Sequence, residues 1–258
     1  MARKLITGYT PIQEQQIVEA GIIDLANKSE SAFSREILRA MKAIARTDDG
    51  DMPAVMEIHQ TRLHKLLTKL YSVSYNIFGQ RMLDSLAQMN IKRDVPMTPY
   101  FDTQMALWLR WVAGLRVTQI SNTTSIQALE IIRIALEDSV TEGLAERETG
   151  ILIQQRIAEQ GGNLSRLRGR MIARTESHSS ANASAEKAVS TVRSGIKKEW
   201  ISALTERTRL THLASNGQKV NKGESFSVGT DILLHPGDPN GSAKEIINCR
   251  CVVGYSLA

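Results

Sequence analysis

The sequence has few aromatic residues, only two cysteines and no long apolar run, and each shortage excludes a class of protein. Aromatic residues make up 5% of the chain, so the core must rest on Leu, Ile, Ala, Val and Met, which favours packed helices. Two cysteines separated by one residue cannot form a disulfide framework, and they fit a reducing cytoplasm. No apolar run approaches the roughly 18 residues of a membrane span, so we expect no membrane partner.

The charged residues are distributed unevenly along the chain. The formal net charge is +5, but residues 1–160 hold 18 Lys and Arg against 19 Asp and Glu, whereas residues 161–258 hold 14 against 8. The basic excess therefore lies wholly in the second part. Two interpretations stay open: this part binds an anionic partner such as DNA, or its cations face water or acidic neighbours in an assembly.

Helical periodicity dominates the chain up to about Arg209, and turn residues dominate the segment from Trp200 to Cys251. The helical runs are separated by polar, glycine-rich or proline-rich stretches at 27–29, 47–51, 90–99, 121–124 and 161–163. In the later segment we expect short strands at about 218–220, 225–228 and 246–255, around an irregular loop at 235–241.

The predicted fold class is mainly α, with a long helical N-terminal body and a small α+β C-terminal module of short strands and an irregular Pro/Gly loop. We predict three regions. Residues 1–120 form a helical region that binds a partner, residues 121–199 form a second helical part, and residues 200–258 form the α+β module. The small residues at 177–184 favour close packing of a helix.

The four side chains His212, His235, Cys249 and Cys251 form the one dense set of metal-capable groups in the sequence. Thiolates and imidazoles are the ligands that zinc prefers, and a structural site takes four of them. The C-x-C spacing differs from the familiar paired C-x2-C spacing, and the cysteines could instead be buried apolar thiols. A structural zinc ion and simple packing stay as alternatives, and we otherwise expect no cofactor. A Cys–His nucleophile is disfavoured, because nothing in the sequence orients a base.

Several arginines lie along the helix that is predicted at about 165–187. Arg166, Arg170 and Arg174 are four residues apart, so they share one helix face, where like charges repel unless an anionic or acidic group faces them. This face, together with Lys197 and Lys198, is the candidate DNA contact. The alternative is that it forms salt bridges with glutamates of a neighbouring subunit.

A series of short motifs extends from about residue 131 to residue 253, and its order and spacing are specific although each motif alone is weak. The motifs are Glu142-Gly143, I-A-R-T-E at Ile172–Glu176 with Asn182 downstream, Lys198-x-Trp200, R-T-R-x-x-H at Arg207–His212, Phe226, P-G-D-P at Pro236–Pro239 and N-C-R-C at Asn248–Cys251. With this series the chain resembles the phage head morphogenesis proteins, also called phage Mu protein F-like minor head proteins.

The resemblance implies a minor structural and assembly protein of a tailed-phage head, without enzymatic activity, with a role in DNA packaging or ejection. Its partners would be the portal protein, the major capsid protein, phage DNA and other copies of the same chain. It would be assembled in the host cytoplasm and located in the virion, inside the capsid or at the portal vertex.

The resemblance also implies that the motif residues build a rigid C-terminal platform. We expect Arg207 or Arg209 to pair with Asp238 and so to fix the proline-rich loop. The full structural set is Arg174, Glu176, Trp200, Arg207, Arg209, His212, Asp238, Cys249 and Cys251.

Overall fold

The computed structural model describes residues 4–47, 51–91, 97–192 and 195–258, and within them the mainly α fold class is confirmed. The helices are α1 (Pro11–Ile44), α2 (Met52–Ser74), α3 (Gln80–Gln88), α4 (Met97–Glu142), α5 (Glu146–Arg156), α6 (Gly162–Ser190), α7 (Leu210–Ser215) and α8 (Ala243–Ile246), with π-helical turns at Tyr75–Gly79 and Ile157–Gly161. The strands are β1 (Ile196–Ile201), β2 (Lys219–Asn221), β3 (Phe226–Val228), β4 (Asp231–Leu233) and β5 (Val252–Leu257). In these ranges no helix is both long and apolar enough to cross a membrane. The centres of the predicted loops at 47–51 and 90–99 lie outside the described residues.

The chain divides into two compact units. Each of the long helices α1, α2, α4 and α6 contributes one part to each unit. The first unit consists of Met1–Ala26, Leu70–Arg110 and Arg174–Ala258, and the second of Asn27–Lys69 and Trp111–Ala173. Each unit is therefore assembled from segments that are distant in sequence.

Each unit has its own apolar core. In the first unit the buried ring of Trp108 packs against Tyr71 and Tyr75, with centroid distances of 5.1 and 5.3 Å. In the second unit Phe33 and Leu67 are buried almost completely. The scarce aromatic residues are thus concentrated at packing centres, where their large area contributes most.

Helix α1 is unbroken, although the polar residues 27–29 predicted a division into two helices. It begins with a capping box, in which the Gln13 side chain accepts a hydrogen bond from the Thr10 N–H at 3.0 Å and Thr10 caps Gln13 in return. Gly21 serves packing, because a Cβ atom there would lie 3.1 Å from the ring of Phe78. The glycine allows close approach within the first unit and does not end the helix.

Helix α4 is also a single element, although residues 121–124 predicted the cap of a new helix. The Thr124 hydroxyl is buried and donates a hydrogen bond to the Ile120 carbonyl one turn earlier, at 2.7 Å. Arg168 donates to the same hydroxyl at 2.9 Å. Since this hydroxyl is satisfied inside the helical arrangement, the helix continues. It ends at Gly143, as predicted, in a left-handed conformation with φ of +68°.

The glycines at 161 and 162 do not end a helix either. Helix α5, the π-helical turn and α6 follow one another directly from residue 146 to residue 190. Gly161 is buried, and a Cβ atom there would lie 3.3 Å from the Met41 sulfur and 3.8 Å from Leu38. The missing side chain again permits tight packing, here within the second unit.

The C-terminal module contains a three-stranded antiparallel sheet in the order β2-β1-β5 and a separate β3-β4 hairpin. Strand β1 is missing from the sequence prediction, because Lys198 occupies a fully buried position and interrupts the apolar alternation. The last strand begins at Val252, later than predicted, because residues 243–246 form the short helix α8.

Candidate functional site

Trp200 on β1 is the packing centre of the C-terminal module. Its side chain is completely buried, and its ring meets His212 and Phe226 edge-on at centroid distances of 5.6 and 5.5 Å. These contacts fix the imidazole of His212, which α7 carries, in one orientation.

The His212 ring points at two cysteines. Its Nδ1 atom lies 3.6 Å from the Cys249 sulfur and 3.3 Å from the Cys251 sulfur, and all three side chains are buried. Both cysteines are reduced and precede β5. One nitrogen and two sulfurs, all within 4.8 Å of one another, form a set that could hold a metal ion.

Glu245 on α8 supports the imidazole from the opposite side. Its Oε2 atom lies 3.1 Å from His212 Nε2 and accepts a hydrogen bond from the Thr211 hydroxyl at 2.8 Å. With Nε2 facing a carboxylate, Nε2 carries the proton and Nδ1 presents its lone pair to the sulfurs.

The two thiols lie in different electrostatic surroundings. Contacts from the Cys249 side chain and from His212 hold the pKa of Cys251 well below its usual range. Burial raises the pKa of Cys249.

A buried histidine of α6 holds the backbone of this cysteine segment. His178 Nε2 lies 2.6 Å from the Cys251 carbonyl oxygen, and burial lowers the pKa of His178 to about 4. Asn182, one turn later, accepts a hydrogen bond from the Val253 N–H at 3.0 Å. Gly237 is required opposite the ring, since a Cβ atom there would lie 2.6 Å from His178 Nδ1.

A pocket of about 240 Å³ opens beside the cluster and is lined by His212 and both cysteines. Four arginines contribute to the same lining, and no carboxylate does. These arginines are Arg174, Arg207, Arg209 and Arg250. The pocket is therefore a positively charged cavity in contact with the sulfur–imidazole group.

The C-terminal module lies almost wholly within a stretch of the chain that is similar to a known protein family. Residues 130–254 match the family described as Phage Mu protein F like protein. This stretch is similar to that family, and we call it the Mu F-like region. Over 137 residues the chain is 34% identical to "Minor head protein GP7" of Bacillus phage SPP1. The matched segment covers 51% of this chain and 42% of that protein. The chain thus spans less than half of this curated relative, and no solved structure matches it.

The motif-based recognition is confirmed over the Mu F-like region, and the described hydrogen bonds of Arg209 and Asp238 lead to other partners. Arg209 donates to the Ile247 carbonyl at 2.5 Å, not to Asp238. Asp238 fixes its own loop, since its carboxylate accepts hydrogen bonds from the N–H groups of Leu234 at 2.8 Å and Asn240 at 3.0 Å. These backbone bonds hold the loop without Arg209, and a pairing of Asp238 with Arg207 stays a prediction.

His235 does not join the cysteine cluster, although it belongs to the predicted metal set. It is buried, its Nδ1 atom lies 3.1 Å from the Pro236 carbonyl oxygen, and burial lowers its pKa. Among the described residues the metal-capable group is restricted to three side chains.

Two further predicted residues are structural parts of the first unit. Glu176 is buried and accepts a hydrogen bond from the Tyr71 hydroxyl at 2.6 Å. Lys198 is fully buried and donates to Glu186 at 3.0 Å and to the Leu234 carbonyl at 2.7 Å. Its predicted role as a DNA contact is therefore wrong, because no phosphate can reach a buried ammonium group.

The other cations of the predicted DNA set are distributed over both units. Arg166 and Lys197 are exposed, whereas Arg170 is exposed but pairs with Glu30 at 3.1 Å within the second unit. Arg174 is half-buried in the first unit, where it lines the pocket.

Sequence reasoning missed Glu245, which is 33 residues from His212 and belongs to no motif. It also gave no role to His178, whose only signal was a polar residue within a run of small ones. Neither residue has a spacing rule that would identify it, because both act across the fold.

Proposed function

We propose that this protein is a minor structural and assembly component of a tailed-phage head, located in the virion at the portal vertex or inside the capsid. The similarity of the Mu F-like region to a curated minor head protein carries this proposal. The C-terminal module supports a structural role, because its motif residues form hydrogen bonds that fix loops and strands. We propose no enzymatic activity for the chain.

An apolar stripe on α4 supports contact with another head protein. Ile126, Leu129, Leu136 and Val140 share one helix face and are 67, 47, 45 and 82% exposed. Arg133 lies within this stripe and is held by ion pairs to two neighbouring glutamates. Several large apolar side chains exposed on one helix face commonly mark a protein–protein interface. We propose that the portal protein or the major capsid protein binds this stripe.

Incorporation into phage heads tests the proposal. A tagged chain is supplied during infection by a phage that lacks its own copy, and proheads, mature heads and portal oligomers are purified. We expect the tagged chain in the heads and with the portal oligomer. Ile126→Gln combined with Val140→Gln should lower incorporation by about tenfold or more, because these two residues are the most exposed of the stripe and would lose the most apolar contact area.

The matched control replaces two apolar residues that are equally exposed but lie outside α4. Leu210 and Ile232 are 84 and 66% exposed, and Leu210→Gln combined with Ile232→Gln should leave incorporation unchanged. Absence of the wild-type chain from both heads and portal oligomers would refute the proposed function. Equal loss in both double variants would refute the role of the stripe.

A second candidate function, contact with packaged DNA, is favoured by the arginine-lined pocket. Its lining holds four arginines and no carboxylate, which suits a phosphate group. Duplex binding measured by fluorescence anisotropy between about 50 and 200 mM salt should weaken steeply, and Arg207→Gln should reduce the logarithmic salt slope by about 0.9. If Arg166→Gln instead of Arg207→Gln reduced the salt slope, the phosphate contact would lie on α6. A slope near zero in the wild-type chain would exclude phosphate contacts.

A further inference from the structure

The spacing of the His212, Cys249 and Cys251 ligand atoms fits a tetrahedral zinc ion. Zinc–sulfur and zinc–nitrogen bonds of about 2.3 and 2.0–2.1 Å place the sulfur and nitrogen atoms of a tetrahedral site about 3.6 Å apart. The observed separations are 3.6 Å to Cys249 and 3.3 Å to Cys251. The imidazole nitrogen is therefore already at ligand distance from both sulfurs, and all three ligand atoms lie within 4.8 Å of one another.

A hydrogen bond to His212 Nδ1 accounts for only one of the two sulfurs beside it, and the Cys251 thiol can donate instead to the Ser202 hydroxyl at 3.7 Å. Neutral His212 has one lone pair at Nδ1 and can accept one good hydrogen bond, yet two sulfurs converge on that atom. All three side chains are almost completely buried. A cation at their centre would use the lone pairs of all three groups at once and would stabilise both thiolates.

The surroundings supply the outer contacts typical of a zinc site. Glu245 lies 3.1 Å from His212 Nε2, which is the carboxylate–histidine arrangement that fixes the tautomer of a metal-bound imidazole. The Cys251 N–H donates to the Cys249 sulfur at 3.4 Å. This hydrogen bond favours a thiolate on Cys249 over a thiol.

We propose that His212 Nδ1, Cys249 Sγ and Cys251 Sγ bind one Zn²⁺ ion, whose fourth ligand is a water molecule or an anion from the adjoining pocket. All three protein ligands line that pocket, so solvent can reach the fourth position. The ion would join α7 to the segment that leads into β5. His235, which lies outside the cluster, takes no part.

Two other uses of the same residues predict different chemistry. A disulfide between Cys249 and Cys251 would lower the protein mass by two hydrogens and would exclude zinc. A thiolate nucleophile on Cys251 with His212 and Glu245 behind it would react rapidly with an alkylating reagent, with or without a chelator.

Metal content of the full-length chain tests the proposal. The protein is expressed in medium that contains zinc, purified without chelator and analysed by elemental mass spectrometry. We expect about one zinc ion per chain in the wild type and in His235→Gln, and less than about a tenth of that in Cys251→Ser. Glu245→Gln should retain all three ligands but bind zinc about 10–100-fold more weakly in a competition titration with a chromogenic chelator.

Thiol reactivity of the wild-type chain gives a second result that does not depend on the folding of a variant. Both cysteines should react slowly with a thiol reagent until a chelator is added and should then react together. Cobalt in place of zinc should give the visible absorption of a tetrahedral cobalt–thiolate site. Wild-type protein with no stoichiometric zinc, with a disulfide, or with thiols indifferent to chelator would overturn the proposal, as would zinc retained in Cys251→Ser.

Discussion

Replacement of Lys198 by methionine should destabilise the protein strongly, because this lysine is a buried cation with a specific partner. Its ammonium group is inaccessible to solvent, bonds Glu186 at 3.0 Å and the Leu234 carbonyl at 2.7 Å, and lies 5.3 Å from the centre of the Phe226 ring. Burial lowers the pKa of Lys198, and Glu186 opposes that effect. Methionine keeps the apolar stem but leaves a buried carboxylate unpaired, which costs about 3–5 kcal/mol.

Urea unfolding followed by tryptophan fluorescence measures this change in the free energy of unfolding. Lys197→Met is the matched control, since Lys197 precedes Lys198 on β1 but is exposed, and its replacement should change stability by no more than about 0.5 kcal/mol. Addition of Glu186→Gln to Lys198→Met should recover at least about 1 kcal/mol, because neither charge of this pair then remains buried. A loss below about 1 kcal/mol in Lys198→Met would show that the buried ion pair does not form.

Two further predictions concern packing and pH. Gly169→Ala should lower the free energy of unfolding by about 1–3 kcal/mol, because its Cβ atom would lie 2.1 Å from the Ser34 hydroxyl and 2.7 Å from the Ser34 nitrogen. Gly114→Ala is the control, since no atom lies within 4 Å of the added Cβ atom, and it should stabilise α4 by about 0.5–1 kcal/mol. Equal thermal melting shifts in these two variants would contradict this packing. Burial lowers the pKa of His235. Below about pH 6.5 this histidine is therefore protonated in the unfolded chain but still neutral in the folded chain. The unfolded state binds more protons, so the free energy of unfolding falls as pH falls. His235→Asn should make that fall shallower in urea titrations at pH 6.5 and 5, and an unchanged slope would count against a neutral, buried His235.

The chemistry of the C-terminal module could be predicted only in part from the sequence. The density of His and Cys residues marked the region, and the motif series indicated the resemblance to the Mu F-like proteins. The partners of each residue were not predictable, because Glu245 reaches His212 and Lys198 reaches Glu186 only through the fold. Spacing rules apply within one helix or strand, whereas these pairs join different elements.

By itself, the sequence determined the helical character of the chain, the end of α4 at Gly143 and the resemblance of the Mu F-like region, since these depend on local periodicity, backbone freedom and motif order. The tertiary structure alone decided that Gly21 and Gly161 continue helices and that β1 carries a buried lysine. It also decided that His212, and not His235, faces the two cysteines. The physical reason is that a glycine, a lysine or a histidine changes its role according to what packs against it, and those neighbours come from distant parts of the chain.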